Sequence, residues 1–395
     1  MSRPFATWKI LVRKTLAWKS LATATLLVGA ISASAEGADW SKQLAAIREV
    51  GNKGAGHPAA TAAALEMKAA SASDVPQILA AMDGASPLAE NWLRGLAEAA
   101  ATRRAPLPKT ELETFLADTK HSPHARRLSY ELLASVDPTA EAKLIPTLLG
   151  DPSLELRRDA VAYALSQAAA EKEKPAQIAA YKKAFAASRD LDQIKEASAK
   201  LRDAGETVDI ATHMGYLMTW KVIGPFDNIE DKGWDVAYPP ELGIDPAAEY
   251  EGMKGKVKWI DHTTTDDYGV VDLNKVLENH KGAIVYCLAE FASDKDQTID
   301  LRLGCINATK LWVNGELLSE NHVYHAGMEV DQYNQSVKLK KGKNTILLKV
   351  CQNEQKEAWA QRWQFQIRAC DSIGTAILSQ DRPLPKTAEL PRTLR

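Results

Sequence analysis

The arrangement of apolar and polar positions changes once along this chain, near residue 208. Before that point, apolar residues recur at helical spacing: Leu156, Ala160 and Leu165, for example, share one face of a helix predicted over residues 156–168. From Thr219 onward, short apolar runs alternate with polar residues and are separated by Gly, Asn, Asp and Pro. The pattern predicts a helical half followed by a half made of β-strands.

Nine segments of the second half have the length and composition of strands. They are residues 220–226, 256–262, 283–291, 298–306, 310–313, 316–318, 336–339, 345–352 and 363–370. Asn314-Gly315 separates two of them, and this dipeptide is a strong hairpin signal because both residues tolerate positive φ. Many short antiparallel strands favour an all-β sandwich.

The helical half contains an internal repeat. Ser86-Pro87 returns 36 positions later as Ser122-Pro123, and Arg126-Arg127 returns 31 positions later as Arg157-Arg158. A unit of two helices cannot bury its apolar face alone, so repetition predicts stacking into an α-solenoid. The unit 144–168, with its Gly-Asp-Pro turn, resembles a HEAT repeat, and the resemblance covers roughly residues 40–205.

Such a solenoid is interpreted either as a surface for a protein partner or as a spacer for the second half. The arginine pairs, Arg126, Arg127, Arg157 and Arg158, are candidates for a basic stripe that faces an acidic partner. We expect them instead to be solvated or paired with acids of the preceding turn.

The second half carries another family resemblance. Residues 297–304, 310–315 and 339–350, together with an entry strand at 220–226, resemble the galactose-binding-like jelly rolls. These include the sugar-binding domain of family 2 glycoside hydrolases and many carbohydrate-binding modules. The match covers about residues 215–375, and it implies a jelly-roll fold with carbohydrate contacts in the loops.

A sugar ring lays its C–H face on an exposed aromatic side chain while polar neighbours fix its hydroxyls. The aromatic residues in predicted loops rich in polar side chains are therefore our carbohydrate-binding candidates: Trp234, Tyr238, Tyr324 and Trp359. For each of them alone, packing under a loop is the competing interpretation. We expect the tryptophans within or at the ends of strands to lie in the core: Trp220, Trp312 and Trp363.

Composition and the N-terminal segment predict where the protein is located and exclude one class of function. The 395 residues include 49 basic and 51 acidic side chains with no basic block, which excludes a dedicated nucleic-acid binder. Residues 1–35 combine five basic residues, an apolar run and Ala33-Ser34-Ala35, the pattern of a bacterial-type secretory signal peptide. Cleavage near Ala35 predicts a mature chain of net charge −7, extracytoplasmic (periplasmic or secreted) and free of the membrane.

No catalytic motif or metal site emerges from the sequence. Asp227, Asn228 and Asp231 are weak candidates for structural calcium, although a solvated acidic loop is the better interpretation. The four cysteines lie in predicted strands, and Cys351 and Cys370, on the polar side of neighbouring strands, are candidates for a disulfide.

The sequence thus predicts a multidomain chain. Its parts are a signal peptide (1–35), an all-α HEAT-like solenoid (36–208), an all-β jelly-roll sandwich (209–378) and a flexible tail (379–395). Our leading hypothesis is a secreted, non-catalytic binding protein, with the solenoid for a protein partner and the jelly roll for a carbohydrate. A structural or scaffold protein without glycan binding is the main alternative, and a polysaccharide-active enzyme is the third.

Overall fold

A computed structural model describes residues 38–103 and 106–382. The predicted signal peptide and residues 383–395 of the predicted tail lie outside the described residues. From Trp40 on, the described residues form one compact unit. No helix among them is both long enough and apolar enough to cross a membrane.

The first half of the described chain is helical. Its α-helices, joined by short turns, are α1 (Ser41–Arg48), α2 (His57–Glu66), α3 (Val75–Ala80), α4 (Pro87–Ala101), α5 (Lys109–Ala117), α6 (Pro123–Val136), α7 (Ala140–Leu144), α8 (Leu154–Ala170), α9 (Lys174–Ala187), α10 (Leu191–Asp203) and α11 (Ile210–Met214). The serines of the repeated sequence pattern precede helices. Ser86 caps α4 by accepting the N–H of Ala89, with proline at the first helical position.

Alanine fills many of the contacts between these helices. Ala89, Ala97 and Ala100 of α4 are fully buried in a core that runs from Trp40 to Ala160. A second apolar cluster continues from Val161 to Leu201. The alanine-rich composition of this half therefore reflects close packing of helix on helix.

Ion pairs join every second helix from α4 to α10 at a similar interval. In each, an arginine reaches an acid 32 to 37 residues further along the chain. The pairs are Arg94 of α4 with Glu131 of α6 at 2.7 Å, Arg127 of α6 with Asp159 of α8, and Arg158 of α8 with Asp192 of α10 at 2.5 Å. The repeat in the sequence is thus also a repeat of contacts.

The arginines considered for a basic stripe already have partners within the chain. Arg126 is buried and holds Asp151 through two hydrogen bonds of 2.8 and 2.5 Å. Arg157 donates to the carbonyls of Asp151 and Gly150. The expectation that these charges are paired with acids is confirmed for Arg126, Arg127 and Arg158, but not for Arg157. Arg127 and Arg158 pair with acids two helices further along the chain rather than in the preceding turn.

The second half consists of antiparallel strands in two sheets and a hairpin. The strands are β1 (Thr219–Asp227), β2 (Glu249–Gly252), β3 (Gly255–Lys258), β4 (Ile260–Thr263), β5 (Val271–Asp272), β6 (Ala283–Ser293), β7 (Gln297–Cys305), β8 (Ala308–Val313), β9 (Glu316–Asn321), β10 (Tyr333–Leu339), β11 (Gly342–Gln352) and β12 (Gln364–Cys370). One sheet has the order β4-β1-β6-β11-β8-β9, the other β10-β7-β12-β5, and β2 pairs with β3. Short helices α12 (Pro239–Leu242) and α13 (Leu273–Leu277) lie in the connections.

The two sheets share one hydrophobic core. On β7, Ile299, Leu301 and Leu303 are buried in it, as their alternation predicts. Asn314 and Gly315 have φ of 50° and 82° and form the predicted turn between β8 and β9. The predicted strand over 256–262 divides in two, because β3 pairs with β2 while β4 pairs with β1.

An apolar junction connects the helices to the four-stranded sheet. Ile194 of α10 and Met214 of α11 pack there with Tyr216, which forms a bridge to Arg368 of β12. Arg368 also donates to the carbonyl of Met214. The composition change near residue 208 lies between α10 and α11, at the start of this junction.

The predicted disulfide between Cys351 and Cys370 is wrong. Cys351 lies on β11 in the six-stranded sheet, whereas Cys370 lies on β12 in the four-stranded sheet. The two strands are therefore not neighbours, and all four cysteines are free and buried. Alternation along each strand could not reveal which sheet each strand joins.

Candidate functional site

Three loops meet at one edge of the six-stranded sheet because of its strand order. β1, β11 and β9 alternate with the antiparallel strands β6 and β8, so they run in the same direction and end at the same edge. The loops that follow them span residues 228–234, 353–361 and 322–327. Hydrogen bonds connect the loops; the N–H of Glu230, for example, donates to Glu354 at 2.8 Å.

Five rings from these loops form a continuous row, which we call the aromatic loop cluster. Neighbouring ring centroids lie 4.1, 5.8, 6.2 and 5.2 Å apart. In order, the rings belong to Trp234, His322, Tyr324, His325 and Trp359. The row starts at a buried indole and ends at an exposed one.

Trp359 is the member of the cluster that offers a surface to a ligand. It is 57% exposed, so much of its indole surface is open to solvent. Its ring stands edge-on to His325 at an interplanar angle of 82°. His325 in turn contacts the Asn353 side chain through Nε2 at 2.9 Å, so amide and imidazole groups lie beside the exposed indole.

Two of the aromatics predicted to bind carbohydrate instead pack within the protein: Trp234 is buried, and Tyr238 is partly buried. Trp234 is 8% exposed; His322 stacks on its ring, and Lys310 Nζ lies 4.5 Å from its centroid. Tyr238 packs against Phe226 and donates its hydroxyl proton to the carbonyl of Asp227. Loop aromatics cannot be separated into ligand-binding and packing groups without knowing what covers them.

Tyr324 is half-buried and organises the loops. Its hydroxyl donates to Asp231 Oδ1 at 2.6 Å and accepts from Asn228 Nδ2 at 3.1 Å. Burial raises the pKa of Tyr324, and the nearby Asp231 carboxylate contributes to the same direction. The phenol therefore stays protonated and acts as a fixed donor between two loops.

The three candidate calcium ligands also take part in hydrogen bonds of these loops. Asp231 binds Tyr324 through one oxygen and His322 through the other at 2.6 Å. Asp227 accepts the N–H of Ile229, and Asn228 is fully buried. Among the described residues, no three His, Cys, Asp or Glu side chains converge in a way that would hold a metal ion.

A buried lysine fixes the loop that carries Trp234. Lys349 of β11 is 0% exposed, and its Nζ donates to the carbonyls of Trp234 and Val236 and to Glu241 at 2.9 to 3.1 Å. Tyr286 donates to the same carboxylate. Burial, reinforced by Glu241, raises the pKa of Tyr286, so this phenol also remains a donor.

Sequence reasoning missed the two histidines and the lysines of this region. The sequence gives no functional signal for His322 and His325, since their spacing fits no metal motif and no predicted helix presents both rings. Lys349 lies among the apolar residues of β11, and a lysine in an otherwise buried strand is the signal that could have identified it. The other residues of this region can be grouped only from the strand order, because that order brings distant loops together.

Several solved structures are similar to part of this chain. A β-glucosidase from Kluyveromyces marxianus in complex with glucose is 12% identical over 42% of this chain and 18% of its own length, with a TM-score of 0.25. An anti-sigma factor domain-containing protein from Clostridium clariflavum is 10% identical over 44% and 50% of the two chains, with a TM-score of 0.24. A family 35 carbohydrate binding module from Clostridium thermocellum is 14% identical over 27% and 99%, with a TM-score of 0.17.

These likenesses are distant. This chain spans about a fifth of the β-glucosidase, and no TM-score reaches 0.5, so none of them defines a ligand here. No protein-family model matches the sequence, and no curated protein matches it.

Proposed function

We propose that this chain is an exported, non-catalytic binding protein whose jelly-roll half binds a carbohydrate through Trp359. In this proposal the signal peptide is cleaved near Ala35, and a HEAT-like solenoid holds a protein partner. The single observation that carries the carbohydrate assignment is the 57% exposed indole of Trp359 at the end of the aromatic loop cluster. It combines an apolar face with polar neighbours that suit sugar hydroxyls.

The surroundings of Trp359 favour binding over catalysis. Asp231 is held by Tyr324 and His322, and Glu354 accepts the N–H of Glu230, so both carboxylates already serve the loop structure. A glycosidase needs two carboxylates that face each other across the scissile bond. An open surface with one exposed indole suits a glycan that is held and released.

The solenoid assignment is supported by the regular ion pairs. Arginines of α4, α6 and α8 each reach the second helix further along the chain, the contact pattern expected when similar two-helix units stack. A stacked array presents an extended surface of the kind that binds proteins. The burial of Trp234 and the packing of Tyr238 against Phe226 are the observations that favour a scaffold without glycan binding.

A glycan array with the mature chain, followed by calorimetry on each hit, tests the carbohydrate assignment. We expect Trp359→Ala to weaken binding at least tenfold, and Trp359→Phe to retain part of it, because the phenyl ring keeps an apolar face. Leu242→Ala is the control, since Leu242 is 78% exposed and lies outside the aromatic loop cluster. Binding that survives Trp359→Ala would refute this site, and a blank array would favour the scaffold.

A further inference from the structure

A second candidate site lies where the C-terminal strap crosses between the two sheets. We define this strap as residues 376–382. Ala376 forms a bridge to Cys370 of the four-stranded sheet, and Gln380 donates to the carbonyl of Ala292 in the six-stranded sheet at 3.0 Å. The strap therefore spans the gap between the sheets, and a groove of about 240 Å³ lies beneath it.

The walls of this groove are mainly apolar. The segment before β1, strand β6 and the strap each contribute two of its apolar side chains: Leu217 and Met218, Leu288 and Phe291, Ile377 and Leu378. An apolar cavity of only about 150 Å³ can hold a benzene molecule. The groove thus has room for a short hydrocarbon chain, and its open side lets a longer chain project into solvent.

The charged groups at the mouth leave one half-buried cation without an anion. Lys221 pairs with Asp261, and Glu290 pairs with Lys343, each at 2.6 Å. Asp381 is exposed and accepts the hydroxyl proton of Ser379. The four residues of these ion pairs thus neutralise one another, whereas Asp381 keeps its negative charge and has only a hydroxyl as partner.

Arg382 is the remaining cation at the mouth. Its guanidinium donates to the carbonyl of Tyr216 at 2.7 Å and makes no ion pair with any described residue. Burial lowers the pKa of Arg382, with only an opposing attraction from Asp209. An arginine fork in such a position is suited to a carboxylate, which it can bind through two parallel hydrogen bonds.

We propose that this groove binds a free anionic amphiphile, with its carboxylate on Arg382 and its aliphatic chain along Met218, Phe291 and Leu378. Apolar walls select the chain, and the unpaired guanidinium selects the head group. The site is separate from the aromatic loop cluster, so it stands or falls independently of carbohydrate binding.

Calorimetry with the mature chain and monomeric ten-carbon amphiphiles tests the proposal. We expect decanoate to bind with one molecule per chain and at least tenfold more tightly than decyltrimethylammonium. Shortening the chain should weaken binding about fourfold per methylene, the effect of removing one buried CH₂. Absence of decanoate binding, or equal affinity for the two head groups, would overturn the proposal.

Variants separate the two parts of the site. We expect the protein to bind decanoate more tightly than the uncharged decanol. Arg382→Gln should remove this preference and leave the affinity for decanol unchanged, whereas Arg103→Gln should change neither the preference nor the affinity for decanol. Arg103 is the matched control because its guanidinium also donates to main-chain carbonyls. Met218→Trp fills the groove and should abolish both ligands; Leu378→Trp repeats that test from the strap if the first variant unfolds.

Flotation with phosphatidylglycerol vesicles distinguishes a free anionic amphiphile from an anionic lipid in a membrane as the ligand. Binding to vesicles without binding of monomeric decanoate would overturn the assignment to a free amphiphile. Retained decanoate preference in Arg382→Gln would likewise overturn the role of the guanidinium.

Discussion

Replacing Lys349 by methionine tests the buried network beneath the aromatic loop cluster. Methionine keeps an unbranched apolar chain but removes the ammonium that serves the carbonyls of Trp234 and Val236 and the carboxylate of Glu241. Lys349 is 0% exposed and the Glu241 side chain is only 13% exposed, so water replaces the lost donor poorly. The variant therefore leaves one carboxylate and two carbonyls without this donor in a dry site.

The expected loss follows from that burial. Removing one partner of a buried ion pair costs about 3–5 kcal/mol of the free energy of unfolding. The double variant Lys349→Met/Glu241→Leu removes the uncompensated charge as well and should recover a large part of the loss. Lys343→Met is the matched control: Lys343 is on the same strand but 63% exposed, and its pair with Glu290 should contribute less than about 1 kcal/mol.

Urea unfolding at pH 7, followed by tryptophan fluorescence, measures these differences. The sheet half carries six of the tryptophans, so its unfolding dominates the fluorescence signal. One of them is Trp234, whose main-chain carbonyl accepts a hydrogen bond from Lys349. A cost for Lys349→Met no larger than that for Lys343→Met would refute the reasoning. Equal instability of the single and double variants would refute the role of the unpaired carboxylate.

Three further predictions concern other parts of the chain. Arg126→Leu should destabilise the helical half by about 3–5 kcal/mol in urea unfolding, because it strands Asp151, and Arg126→Leu/Asp151→Leu should recover much of this; no recovery would contradict the pairing. Burial lowers the pKa of His213, with Arg189 and Arg368 adding to the effect, so the unfolded chain takes up the proton first. Stability should therefore fall as the pH drops below about 6.5 towards the depressed folded pKa, and His213→Gln should flatten the dependence in thermal melts; an unchanged slope would exclude His213 as its source. Iodoacetamide in denaturant without reductant should add four adducts by mass, whereas two adducts would restore a disulfide.

Local pattern was enough for the long helices and strands, although it missed the short strands β2 and β5. Helix α8 (Leu154–Ala170) contains the predicted helix, and β7 and β11 differ by a few residues from the predicted strands. Periodicity reports which side of an element is buried, and Asn-Gly reports a turn, because both depend on neighbours in sequence. The change from helices to antiparallel strands near residue 208 was equally local.

Partners and exposure depended on the tertiary structure. Cys351 and Cys370 both lie in strands, but only the strand order assigns them to different sheets. Trp234 and Trp359 are both loop tryptophans, and only the positions of His322 and Lys310 show that the first is covered on its ring while the second remains open. The sequence by itself therefore determined the elements, since these follow from spacing along the chain. The tertiary structure alone decided which side chains meet, because the strand order brings together residues more than a hundred positions apart.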